Sequence, residues 1–168
     1  EPDWVRLAQQ AVDFIRTRSF VDGQLYATWN GSARHQAYAD DYANMIDGLL
    51  ELLSAEWRAA DIDFAVTLAN TLLDSFEDSE HGGFFFTSHD HEELIHRPKP
   101  TLDDAMPPGN GIAAVALQKL GHVLGETRYL EAADRTLSWA RHAMEQHPAG
   151  HCTLLTALEA NVYPPEQI

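Results

Sequence analysis

The feature that most constrains the fold of this chain is an apolar pattern that recurs after about sixty residues. The helical apolar run that begins at Leu7 recurs 61 positions later at Leu68, and the β-prone residues 23–26 recur 60 positions later as residues 83–86. A second register of 68 positions places Leu49 on Leu117. Helix pairs that stack on copies of themselves must repeat their apolar pattern, so the sequence predicts successive helical hairpins.

Six helices are predicted, because apolar residues recur three and four positions apart and turn residues end each run. Their approximate ranges are residues 4–18, 37–54, 61–76, 110–124, 127–146 and 152–158. Residues 25–29 predict a short β-strand, and residues 83–87 and 93–97 predict the two arms of a β-hairpin.

At about 60 residues per hairpin, the chain holds close to three hairpins. The predicted fold class is therefore all-α, with α/α toroid-type helical hairpin repeats in a partial ring and a small β-hairpin near 83–97. Residues 1–168 are expected to form a single partial toroid domain. The start at Glu1 and Pro2, without a methionine, suggests a fragment of a longer protein.

The composition of the chain argues against several classes of function. The net charge of −15 repels nucleic acid and anionic membranes, so neither is an expected partner. The single cysteine, Cys152, excludes an internal disulfide and a multi-cysteine metal site. His89 and His91 lack further ligands at a recognisable spacing, so no metal or other cofactor is expected. The sequence shows no membrane span and no signal peptide, and a cytoplasmic location is expected.

Two pairs of aspartates are the candidate catalytic residues. Asp40 and Asp41 open the second helix, and Asp103 and Asp104 precede the fourth helix 63 residues later. Equivalent positions in successive repeats should lie at the same end of the assembly, where paired carboxylates can act as general acid and base on a sugar. The alternative is structural, because acidic residues also satisfy the exposed N–H groups of helix N-termini.

Four further residues are candidates for substrate binding. Arg97 and Lys99 bring positive charge into the loop that carries the second aspartate pair, where they either bind an anionic group or pair with those aspartates. Tyr42 offers an aromatic surface for a sugar, although aromatic residues at helical spacing usually belong to the core. Asn110 contacts a ligand or, alternatively, caps the fourth helix.

Three segments together resemble the YyaL-like family. They are Asp41-Tyr42-Ala43 with residues 46–50, then residues 82–87, and then Arg97-Pro98-Lys99 followed by Asp103 and by Pro108-Gly109-Asn110. The resemblance implies an α/α toroid related to six-hairpin glycosidases and N-acylglucosamine 2-epimerases, preceded in the parent protein by a thioredoxin-like domain. About three hairpins would be half of such a ring. This chain has Asp103-Asp104 where the family usually has Asp-Gly, and Pro108-Gly109-Asn110-Gly111 where it usually has Ser-Gly-Asn-Ser.

Two functions remain open. The first is a non-catalytic interaction scaffold, with a second copy or a domain of the parent chain covering the open edge of the ring. The alternative is a glycosidase-like or epimerase-like domain that binds or processes a small sugar with the paired aspartates at the cavity mouth. No strong catalytic motif is present, which favours the scaffold for the isolated chain.

Overall fold

The computed structural model describes residues 2–91 and 96–164, and it contains the six predicted helices. Their bounds are α1 Pro2–Phe14, α2 Ala39–Ala55, α3 Ala59–Phe76, α4 Gly109–Leu124, α5 Thr127–Gln146 and α6 Cys152–Val162. A π-helical turn, Ile15–Ser19, extends α1, and a 3₁₀ turn, Pro148–Gly150, precedes α6. Each helix lies within a few residues of its predicted range, because apolar periodicity is a local property of the sequence.

A small antiparallel sheet lies between α1 and α2. Its strands are β1 Phe20–Val21, β2 Gln24–Trp29 and β3 Ala33–Gln36, in the order β1-β2-β3. The predicted strand at residues 25–29 is confirmed in β2. The hairpin predicted near 83–97 differs from the described structure, in which Phe84 pairs with Glu77, before it in the chain. Residues 92–95 of the second predicted arm lie outside the described residues.

The helices form two layers. In the inner row, α2 packs against α4 and α4 packs against α6. Gly109 at the start of α4 lies against Asp40 at the start of α2, and Gly111 lies against Thr153 at the start of α6. The three inner helices therefore run in the same direction, with their N-termini side by side. The outer helices α3 and α5 return along α2 and α4, and α1 also contacts α2. In chain order the six helices form three pairs, α1–α2, α3–α4 and α5–α6, whose second members make up the inner row.

Buried apolar side chains between the two layers form the core. The largest fully buried ones are Tyr129, Phe76, Phe84, Ile46, Leu49, Leu68, Leu72, Leu117, Leu120 and Leu154. Leu49 and Leu117, which the 68-residue register superposes, are both fully buried on neighbouring inner helices. The repeat in the sequence is therefore a repeat of core positions.

Candidate functional site

Asp40 and Asp41 lie at the N-terminal end of α2, but they face different partners. The Asp41 carboxylate accepts a hydrogen bond of 2.9 Å from the backbone N–H of Tyr38 and fixes the first turn of the helix. The half-buried Asp40 carboxylate closes on Gly109 so tightly that any side chain at position 109 would overlap it. Burial raises the pKa of Asp40, the charge of Asp41 raises it further, and the Gly109 N–H lowers it. The net effect favours the protonated form of Asp40 relative to an ordinary aspartate.

Asp103 acts on the start of α6. One carboxylate oxygen accepts a 2.9 Å hydrogen bond from the Thr153 N–H, and the other accepts from the Thr153 hydroxyl. The Asp103 N–H also donates to the carbonyl of Gly150 at 2.8 Å. Both the backbone and the side chain of Asp103 therefore bind the segment that begins α6. Asp104 is exposed beside it. Asp103 lies outside α6, and its carboxylate accepts a hydrogen bond from an N–H group that the first turn of α6 leaves unpaired.

Lys99 forms a nearly buried ion pair with an aspartate other than the predicted ones. Its Nζ donates to Asp78 at 2.7 Å and to the carbonyl of Gly82 at 2.9 Å, and it lies 4.3 Å from the ring centroid of Trp139. Burial raises the pKa of Asp78, but the hydrogen bond and charge of Lys99, with N–H groups of residues 80 and 81, outweigh burial and bring it to about 2.

Arg97 holds the segment that follows Gly83. Its guanidinium donates to the carbonyl of Thr87 and lies 4.1 Å from the ring centroid of Phe85. Burial lowers the pKa of Arg97, and the charge of Asp78 raises it. Among the described residues, Arg97 and Lys99 make no ion pair with Asp103 or Asp104. Both cations fasten residues 78–87.

Asn110 is buried and joins three backbone groups. Its Oδ1 accepts from the Phe84 N–H at 2.7 Å, and its Nδ2 donates at 3.0 Å to the carbonyls of Phe84 and Pro100. The predicted helix cap is wrong in its position, because Pro108 is the capping residue of α4 and Asn110 lies inside the helix. Its amide instead pairs with Phe84 as a strand would.

Tyr42 lies on the side of α2 that faces the sheet. It packs against Phe76 with 5.2 Å between ring centroids, and its hydroxyl accepts a 2.9 Å hydrogen bond from the Leu25 N–H. Burial raises its phenol pKa. A polar cleft of about 230 Å³ adjoins it, with Asp74 and Asp90 among the lining residues. Tyr42 and Asp40 therefore face opposite sides of one helix.

The structure brings together the ends of the inner helices rather than a compact set of reactive groups. Asp40 meets the start of α4, and Asp103 meets the start of α6, so both aspartate pairs lie at one end of the inner row, as predicted. In chemical terms, Asp40 is the candidate proton donor at this end. Asp41 and Asp103 already accept backbone hydrogen bonds.

Two structurally important aspartates were missed in the sequence. Asp78 accepts hydrogen bonds from the N–H groups of residues 80 and 81, and its place before Gly82 and Gly83 is a turn signal that would have drawn attention to it. Fully buried Asp61 receives two 2.7 Å hydrogen bonds from Arg58 and one of 3.2 Å from Arg16. Arg58, three residues before Asp61, is a local signal for part of this cluster, but Arg16 lies 45 residues away and its contact could not be read from the sequence.

None of the helices in residues 2–91 and 96–164 combines the length and apolar character needed to cross a membrane. Within the same residues, no three or more His, Cys, Asp or Glu side chains are grouped so that they could hold a metal ion.

No model of a known protein family matches this sequence. Spermatogenesis-associated protein 20 of Homo sapiens is 26% identical over 176 aligned residues, which cover 98% of this chain and 22% of that protein. The protein of the same name from Rattus norvegicus is 26% identical over 132 residues, or 78% of this chain and 17% of that protein. The chain spans about a fifth of the length of these curated relatives.

Among solved structures, the unsaturated glucuronyl hydrolase of Bacillus sp. GL1, responsible for the degradation of glycosaminoglycan, has a similar fold. The TM-score is 0.60 at 18% identity, over 84% of this chain and 41% of that one. This chain has an α/α toroid-type fold of helical hairpins. The predicted fold class is confirmed.

Proposed function

We propose that this chain is a non-catalytic interaction scaffold, and that it is the toroid portion of a YyaL-like parent protein that also carries a thioredoxin-like domain. The observation that carries the scaffold role is that the predicted reactive groups already have structural partners. Asp103 binds the start of α6, Asp41 binds the start of α2, and Lys99 binds Asp78. A carboxylate whose oxygens already accept hydrogen bonds from the fold has fewer free lone pairs with which to bind a substrate.

The scaffold role predicts that the chain neither binds nor cleaves saccharides. The test incubates it with a panel of neutral and uronic-acid oligosaccharides, including an unsaturated glucuronide. The expected result is no product by chromatography and no heat of binding by calorimetry. Turnover of any member above a heat-inactivated control would overturn the proposal.

A second candidate function is carbohydrate binding or processing at the end where the inner helices begin. Asp40 favours it, because a half-buried carboxyl with a raised pKa is the kind of group that protonates a leaving oxygen. The fold supports the same reading, since one neighbour of this fold is a glucuronyl hydrolase.

Asp40→Asn separates the two candidates, with exposed Asp104→Asn as its matched control. If Asp40 has no ligand, the variant is expected to melt slightly higher than wild type at pH 7. The reason is that a raised pKa makes the folded state lose stability as the pH rises above 3.8, and asparagine removes that loss. The gain should vanish below pH 3.8. Saccharide binding lost in Asp40→Asn and kept in Asp104→Asn would instead favour carbohydrate chemistry.

A further inference from the structure

The polar cleft beside Tyr42, of about 230 Å³, lies between the small sheet and the end of α3. Its lining residues all fall between positions 23 and 90, so its walls belong to one part of the chain, away from α1 and α6. We call this surface the sheet cleft. Its polar side chains include Gln24 and Gln36 of the sheet, Asp74 and Ser75 of α3, and Ser88 and Asp90 of the segment after α3.

The charged side chains that line the sheet cleft are all acidic. Asp74 and Asp90 are both exposed, and none of the lining residues is a lysine, an arginine or a histidine. Neither carboxylate forms an ion pair with a lysine or an arginine within residues 2–91 and 96–164. Two negative charges therefore share one cleft without a cationic side chain between them.

Neutral side chains hold Asp90 in place. Gln24 donates to its carboxylate at 3.3 Å, and Gln36 donates to Gln24 at 3.4 Å. A hydrogen bond from Ser88 lowers the pKa of Asp90, burial raises it, and Gln24 and the charge of His91 lower it further. Asp90 is thus an oriented anion whose hydrogen-bond donors in the cleft are uncharged.

The hydroxyl of Tyr42 is an independent sign that the sheet cleft takes a ligand. Tyr42 lines the cleft and is only 2% exposed. Its oxygen accepts from the Leu25 N–H at 2.9 Å, but its own proton has no acceptor in the part of the chain that the structure describes. The Tyr129 hydroxyl, by contrast, donates to Asn70 at 2.8 Å. Because buried hydroxyl groups usually have their hydrogen bonds satisfied, an acceptor in the cleft would complete the pairing of Tyr42.

These groups together define the chemistry of the occupant. Charge excludes an anion, and a neutral ligand would leave both carboxylates without a counter-charge. An arginine side chain carries five donors in a planar fork that matches carboxylates, and the carbonyl groups of its peptide backbone can accept from Tyr42. The cleft volume of about 230 Å³ lies below the roughly 300–1,000 Å³ of pockets for drug-sized molecules, as suits one side chain with its adjoining backbone.

We infer that the sheet cleft binds an arginine side chain of a partner protein, with the guanidinium on Asp90 and Asp74 and a backbone carbonyl of the same peptide accepting from the Tyr42 hydroxyl. The inference rests on the proposed scaffold function and names the chemistry of its partner. The net charge of −15 attracts a basic partner over the whole surface, and the cleft fixes where one arginine binds.

A titration of the whole chain with the peptide acetyl-Gly-Arg-Gly-amide, followed by NMR of the backbone amides, tests the inference. The matched peptide carries citrulline, which has the shape of arginine and no charge. We expect saturable shifts centred on residues 23–25 and 88–90 with the arginine peptide. The citrulline peptide should bind about tenfold more weakly or less, because charge-assisted hydrogen bonds are the stronger ones.

Paired substitutions separate the sheet cleft from the general acidity of the chain. Asp74→Asn with Asp90→Asn should raise the Kd of the arginine peptide by about tenfold or more. The control, Asp63→Asn with Glu131→Gln, removes two exposed charges elsewhere and should change the Kd by less than about twofold.

Tyr42→Phe tests the second contact. It should raise the Kd of the arginine peptide by about threefold to tenfold through the lost hydrogen bond. Circular dichroism should show that this variant and both double variants keep their helices.

Four results would overturn the inference. They are an arginine peptide that does not bind, a citrulline peptide that binds equally well, equal losses in the two double variants, and calcium chloride that shifts these resonances when the arginine peptide does not. The last would assign the cleft to a metal cation. The titration contains no saccharide, so failure of the arginine site and failure of the non-catalytic role are distinguishable.

Discussion

At the scale of one residue, Gln118 is a buried polar side chain whose burial lowers the stability of the fold. It lies on α4 and is 4% exposed, and neither its amide nitrogen nor its amide oxygen has a hydrogen-bond partner among the described residues. A buried polar group without a partner costs about 1–3 kcal/mol. The surface of the adjacent cleft is mostly apolar, although Lys119, His122, Thr156 and Tyr163 line it together with Val115 and Ala160.

Gln118→Met should therefore stabilise the chain, because methionine has a similar volume and no amide to satisfy. We expect the free energy of unfolding in urea to rise by about 1–2 kcal/mol. The control is Gln146→Met at the exposed end of α5, where a surface substitution changes stability by less than about 0.5 kcal/mol. A clear loss of stability in Gln118→Met would show that the amide has a partner, such as an ordered water molecule.

At the scale of elements, Lys99 fastens the segment between α3 and α4 to helix α5. It bonds to Asp78 and Gly82 in that segment, and its ammonium lies over the ring of Trp139 on α5. Gly82 and Gly83 have positive φ, and a Cβ on Gly83 would overlap the ring of Trp139. The segment can therefore pack closely against α5 only because these two residues are glycines. The ion pair and the glycines act together.

Lys99→Met should cost about 3 kcal/mol, because it leaves the buried Asp78 carboxylate without its counter-charge. Lys119→Met is the control, since its pair with Asp47 and Glu51 is more exposed and should cost no more than about 1 kcal/mol. Equal losses in the two variants, measured by urea unfolding, would contradict this assignment.

The ion pair between Lys99 and Asp78 also predicts how the free energy of unfolding depends on pH. Because the pKa of Asp78 falls from 3.8 to about 2 on folding, its stabilisation is fully present above pH 3.8 and is lost as the pH falls toward 2. In Lys99→Met, burial still raises that pKa and only the N–H groups of residues 80 and 81 still lower it, so acid should weaken the fold through Asp78 less than in wild type. Unfolding free energies between pH 2 and 5 measure the difference.

At the scale of the whole molecule, the helical hairpins were predictable and the contacts of the charged residues were not. The 68-residue register correctly paired Leu49 with Leu117 as equivalent core positions, because each residue belongs to a local apolar pattern. The partners of Asp103 and Lys99 lie 50 and 21 residues away, at positions that depend on how the hairpins stack. The sequence therefore indicated the correct end of the inner row, while the pairing of each charge followed from packing.

The central claim is that the charged residues at the end where the inner helices begin hold the toroid together rather than perform chemistry. Asp103→Asn tests it when stability and saccharide binding are measured on the same sample, with Asp104→Asn as control. We expect the free energy of unfolding to fall by about 1–2 kcal/mol, because the start of α6 loses a charged hydrogen-bond acceptor, and we expect no saccharide binding in wild type or variant. An Asp103→Asn protein as stable as wild type that loses saccharide binding or turnover present in wild type would contradict the claim.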